Sequence, residues 1–280
     1  MTPCGPRLDN GSSLTFLWHR DVVRFFWLNF HLPYACRHSG ACCKAGWPIP
    51  IEPERAQLIR KGEWLDEGGV LPRDPDGACI FHTDRCTVYE HRPLSCVHFP
   101  YVCLIDARGV HVTLSHYCPT AASLLFEHKG PIEIVEGPSP VPALEIPEGL
   151  DARESLPPAF AKASTFAKAT ADKTAGKPRL MSWDEFSEWE RNELKTLGAM
   201  TAGLPFPAVI ERYLAAKLFA SWSAYQGDGT TAVRHAVRVA HAVLQEEMTR
   251  ATQDAGRPID AALLTHAIRQ ADLRLVHSRA

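Results

Sequence analysis

Apolar positions along the 280 residues fall into three regimes. Residues 14–32 (LTFLWHRDVVRFFWLNFHL) are apolar and aromatic without a clean period, so helix and strand both stay open for a segment expected to wall the region after it. Residues 33–47 read as a tight loop. PIPIEPERAQLIRKG then has a helix start, with Pro53 in the first turn, Glu52 and Glu54 at its positive end and Gly62 as a stop. Residues 66–103 are rich in turns. Gly109 separates CLID from VHVTL, which predicts a small hairpin, and PTAASLLFEHKG predicts a helix with Pro119 in its first turn and Gly130 at its end.

From residue 131 the pattern changes. IEIVEG leads into proline- and alanine-rich sequence, read as a wrapping connector over 131–180 with a short helix near 158–171. Residues 181–280 are helical. Ser182 and Glu185 have capping-box spacing, and Phe206, Val209, Ile210, Tyr213, Leu214, Leu218, Trp222 and Tyr225 form one broad apolar face. Two more helices are expected over 230–250 and 260–276, the second with Asp260 as N-cap. The fold class is therefore mainly α with irregular loops and a small hairpin: a cysteine-rich metal-bound domain over 14–130, the connector, and a C-terminal helical bundle closing over the cysteines. No repeat or long heptad is present.

A formal charge of -2 at pH 7 gives no support to a broad nucleic-acid surface. Arg20, Asp21 and Arg24 interrupt the apolar stretch from Leu14 to Phe30, so neither a signal peptide nor a membrane span is expected and the reading is cytoplasmic. That matters because all nine cysteines precede residue 119. In a reducing compartment, metal ligation is a better use for so many thiols than disulfides.

The first ligand group is Cys36, then Cys42 with Cys43. Adjacent residues on a regular strand point to opposite faces, so an irregular turn has to aim both sulfurs inward, and Gly40 and Gly46 supply backbone freedom for it. The second group is Cys79, Cys86, Cys96 and Cys103, followed by Cys118. Cys118 falls at the predicted helix start, where the dipole lowers a thiolate's pKa and favours an anionic centre. Four thiolates fit either Zn(Cys)4 or a cubane cluster, and spacing alone does not choose between them. Eight thiols also leave room for two centres or for spare cysteines. His82, His91, His98, His111 and His116 lie near the cysteines in sequence, as ligands or as hydrogen-bond donors to sulfur. Arg92 is expected to compensate the charge of the centre and, with Pro93, to shape the turn before Cys96. Trp47 is expected to pack on the cluster loop, and Tyr89 and Tyr101 are candidates to face a pocket.

Cys36, Cys42, Cys43 and Trp47, then Cys79 and Cys86, then Cys96-Val97-His98-Phe99-Pro100, and finally Cys118-Pro119-Thr120-Ala121-Ala122 follow one another in an order that resembles the CxxCxxCC family of zinc- or iron-chelating proteins, closest to its flagellin lysine-N-methylase-like branch. The resemblance spans residues 36–127. It implies a [4Fe–4S] centre and, in the flagellin-modifying members, methyl transfer from S-adenosylmethionine to lysine. Ser39 stands where the general pattern has a cysteine, and Tyr101 stands where the methylase-like members carry arginine.

No Gly-rich nucleotide-binding motif, radical-enzyme CxxxCxxC or CxxC pair occurs. The expected function is an iron–sulfur protein related to the lysine methylases, whose resemblance implies, without the residues themselves deciding it, an S-adenosylmethionine-dependent methyltransferase acting on a protein substrate. The alternatives are an electron-transfer or iron-handling protein with a redox partner, or a zinc-stabilised interaction module.

Overall fold

In the computed structural model, which describes residues 24–59, 69–106, 108–140, 183–219 and 230–277, the aromatic segment left open by its pattern contributes a strand, β1 (Phe25–Leu28). Trp27 and Leu28 are buried, and Phe30 follows them into the core. The predicted hairpin forms from β2 (Tyr101–Asp106) and β3 (Gly109–Leu114). Gly109 adopts φ +140°, and a Cβ there would meet the Arg24 carbonyl at 2.5 Å, so only glycine fits this crossing.

The sheet is larger than a hairpin. Its order is β2-β3-β1-β4, with β1 parallel to β3 and antiparallel to β4 (Ile134–Gly137). The connector's IEIVEG stretch thus supplies an edge strand. Parallel neighbours need a long crossover, and here the chain from β1 to β3 carries every cysteine between Cys36 and Cys103. That crossover contains the expected helix α1 (Pro53–Ile59) and a short helix α2 (Leu94–His98) preceded by a single 3-10 turn at Tyr89–His91. The predicted stop at Gly62 lies outside the described residues.

Helix α3 (Pro119–Glu127) follows Cys118, with Pro119 in its first turn as expected. It ends at Glu127, before Gly130. Among the described residues four longer helices follow: α4 (Trp183–Thr201), α5 (Pro207–Leu218), α6 (Thr230–Ala255) and α7 (Ala261–Asp272). Asp260 caps α7 by accepting the Leu263 amide at 2.8 Å. A π-helical turn over Leu273–His277 ends the described chain, so the regular helix is shorter than the 260–276 expected. On α5, Val209, Ile210, Tyr213, Leu214 and Leu218 are buried as their spacing requires, whereas Phe206 sits in the left-handed region before the helix and is exposed. Cys4, Ser182, Trp222, Tyr225 and the helix expected near 158–171 lie outside the described residues.

One core joins the two ends of the chain: Leu28, Phe30, Leu104, Ala122 and Leu125 pack with Leu197, Tyr213, Leu244 and Ile268. Ile49, Ile51, Ala56, Ile59, Leu71 and Cys79 form a smaller core beneath the cysteine loops. No described helix is long and apolar enough to cross a membrane.

Candidate metal centre

Seven cysteines from four separate segments line one cavity of about 260 Å³: Cys36, Cys42 and Cys43 from the first loop, Cys79 and Cys86 from the second, Cys96 from α2, and Cys118. Each segment is held by its own polar contacts. Between Cys36 and Lys44 the chain leaves regular geometry, with φ +54° at His38 and +70° at Gly40. Gly40 is buried against the His82 imidazole, where a Cβ would approach Nε2 to 2.0 Å. The Lys44 amide closes the turn on the Gly40 carbonyl at 3.1 Å. This is the irregular turn expected at the adjacent cysteines, and it brings the Cys42 and Cys43 sulfurs 4.0 Å apart.

The Cys79 amide donates to the Cys43 carbonyl at 2.8 Å, joining the two loops. Cys79 and Cys86 then flank a turn in which the Thr87 amide donates to the Phe81 carbonyl at 2.9 Å. Helix α1 positions Cys96. The Glu52 carboxylate accepts the Leu94 amide at the start of α2, Arg55 donates to the Arg92 carbonyl at 2.6 Å, and Arg55 pairs with Glu52. Across the cavity, Arg37 pairs with Glu127 of α3 at 2.9 Å, which ties the Cys36 loop to the helix that follows Cys118. The Tyr34 hydroxyl lies 3.7 Å from the Cys118 sulfur.

Burial in the cavity opposes the thiolate form at most of these cysteines. Burial and the charges of Cys42, Cys79 and Cys86 push the Cys96 thiol up to about 12. Burial also raises Cys79 and Cys86. A hydrogen bond from the Cys43 thiol to the Cys42 thiolate moves Cys43 up and brings Cys42 down to about 7. At Cys118 burial prevails and raises the thiol, although the Ala121 and Thr120 amides and the Tyr34 hydroxyl favour the thiolate. Backbone donors at the helix start do favour the Cys118 thiolate, but desolvation outweighs them. Arg92 supplies positive charge: its guanidinium lies 3.7 Å over the Tyr89 ring, it lines the cavity, and it lowers Cys42, Cys86 and Cys96.

Cys103 lies elsewhere. It sits on β2 against the cluster of Trp27, Val110 and Val112 and does not line the cavity. Ser39 does line it, as do Tyr89 and Tyr101. Of the five histidines singled out by sequence, His82 lines the cavity, and its buried Nε2 has no hydrogen-bond partner. His91 is exposed, His98 is buried on α2, His111 stacks on Phe26, and His116 pairs with His31 at 3.1 Å between Nε2 atoms. Trp47 packs on Phe99 and Tyr117 beside the cavity.

As a donor set, clustered thiols suit soft metal ions. The sulfurs surround the cavity rather than converge on a point: among the described residues, no three His, Cys, Asp or Glu side chains stand close enough to hold one metal ion. No disulfide links the eight described cysteines. Sequence patterns gave no sign of Tyr34 or of the Glu52 cap, because both act through contacts between segments remote in the chain.

Residues 35–119 match the CxxCxxCC family, described as "Putative zinc- or iron-chelating domain". The match names the family and no branch within it, and it ends just past Cys118. No curated protein and no solved structure matches the chain.

Proposed function

We propose that the cavity holds a thiolate-ligated iron–sulfur cluster of the [4Fe–4S] type and that the chain acts as an iron–sulfur protein. The observation that carries this reading is the convergence of seven cysteines from four segments on one cavity of about 260 Å³. A tetrahedral zinc with Zn–S bonds of about 2.3 Å needs its four sulfurs roughly 3.8 Å apart. Sulfurs that ring a larger space favour a polynuclear centre, in which each thiolate ligates a different iron. Cys42, Cys43, Cys79, Cys86, Cys96, Cys36 and Cys118 are the available ligands, and Cys103 is left outside the set.

When bound, such a centre supplies one-electron transfer. The chain's own residues prepare the site for it. Arg92 offsets thiolate charge, Phe81, Phe99 and Trp47 limit water, and His82 holds a buried Nε2 at the cavity wall. Because burial raises the Cys79, Cys86, Cys96 and Cys118 thiols, loading releases protons and binding strengthens with pH. Lysine methylation, implied by the resemblance, rests on that resemblance alone and stands outside this proposal.

Variants test the ligand set. Cys36→Ser, Cys43→Ser and Cys118→Ser should each lower iron and acid-labile sulfide per chain, while Cys103→Ser should retain both. Unchanged metal content in the first three variants overturns the assignment.

A further inference from the structure

The segment that presents Cys118 is gripped by a helix more than 140 residues further along the chain. Asp272, at the end of α7 and fully buried, accepts the Tyr117 amide at 3.2 Å and the Ser115 hydroxyl at 2.8 Å through Oδ2. One turn earlier, Arg269 donates through Nε to the Tyr117 carbonyl at 2.9 Å, and its guanidinium lies 5.2 Å from the Tyr117 ring centroid. Both backbone polar groups of Tyr117 are therefore taken by α7. The Tyr117 ring meets Trp47 of the first cysteine loop at 5.2 Å. Lys217 of α5 pairs with Asp272 Oδ1, which fixes the carboxylate that receives the turn.

We infer that α7 is the positioning element for Cys118: Asp272 and Arg269 set the backbone of the adjacent Tyr117, so that metal loading at Cys118 and docking of α7 are thermodynamically linked. This inference rests on the proposed metal centre and goes beyond residues 35–119, which contain no part of α7. The argument is geometric. A ligand sulfur is precise only if its backbone is fixed, and the turn from Ser115 to Cys118 is anchored by a side-chain hydroxyl, an amide and a carbonyl that all reach α7. Linkage then requires reciprocity: whatever loosens α7 weakens metal binding, and metal binding tightens α7 by the same factor.

Hydrogen exchange on the full chain tests this, comparing protein reconstituted anaerobically with iron and sulfide against metal-free protein. Loading should slow exchange of the α7 amides, and Cys118→Ser should abolish that protection while leaving α4 unchanged. Arg269→Met, which keeps the aliphatic packing but loses the hydrogen bond to Tyr117, should release metal to a chelator about ten-fold faster with unchanged helicity. Stoichiometric iron and sulfide with identical α7 exchange in loaded and metal-free protein overturns the coupling alone. Failure of the wild-type chain to take up metal overturns the metal centre, and the coupling with it.

Discussion

The Glu52 carboxylate accepts the Leu94 amide through both oxygens, at 3.2 and 3.1 Å, and so caps the five-residue helix that carries Cys96. A helix this short has no cooperative stability of its own. Its position depends on that cap and on the Arg55 bond to the Arg92 carbonyl.

Glu52→Ala should therefore destabilise the protein by about 1–2 kcal/mol. Glu52→Gln, which keeps an acceptor, should cost less. Urea unfolding of both variants checks the order, and equal midpoints for the two would deny the cap its role.

Gly40→Ala should destabilise by about 1–3 kcal/mol, because φ is +70° and the new methyl meets the His82 ring. Adding His82→Ala should recover the steric part and leave the backbone cost of about 1 kcal/mol. Non-additivity in this double-mutant cycle is the diagnostic measurement.

Much of this arrangement was legible in the chain. The irregular turn at Cys42 and Cys43, the hairpin about Gly109, Pro119 opening α3 and Asp260 capping α7 all follow from local chemistry at those residues. What pattern could not supply was long-range pairing. β1 carries no alternation because its aromatic residues meet β3, β4 and the helical core at once, and β4 hid inside a segment read as connector. Cys103 resembles the other cysteines in spacing, yet its strand position turns it to a separate apolar cluster. The grip of Asp272 on Tyr117 spans 155 residues and leaves no sequence signature.

In metal-free protein, Cys42 should be alkylated with a pH midpoint near 7, because Cys43 donates a hydrogen bond to its sulfur. Removing that donor in Cys43→Ala should move the midpoint upward toward the ordinary thiol range. Mass-spectrometric mapping of iodoacetamide adducts against pH reads both, and an unmoved midpoint in the variant would contradict the pairing.

Stability should fall as pH drops below about 6.5. His31 and His116 are fully buried; burial with nearby charge holds His116 at about 3 and His31 well below the ordinary imidazole range. The unfolded chain takes up these protons first, so each histidine contributes stability above its unfolded pKa and loses about 1.4 kcal/mol per pH unit on acidification until its folded pKa is reached. Denaturant unfolding between pH 7 and pH 4 should show that slope. His31→Phe should reduce it, and an undiminished slope would place its origin elsewhere.

Iron, zinc and acid-labile sulfide counted per chain, on protein purified without oxygen and recorded with its visible absorption spectrum, test the metal centre most directly. The cavity ringed by seven cysteines predicts iron with matching sulfide and a coloured protein that bleaches on chelation. A colourless protein with one zinc per chain and no sulfide, or a metal-free native chain that cannot be reconstituted, would contradict it.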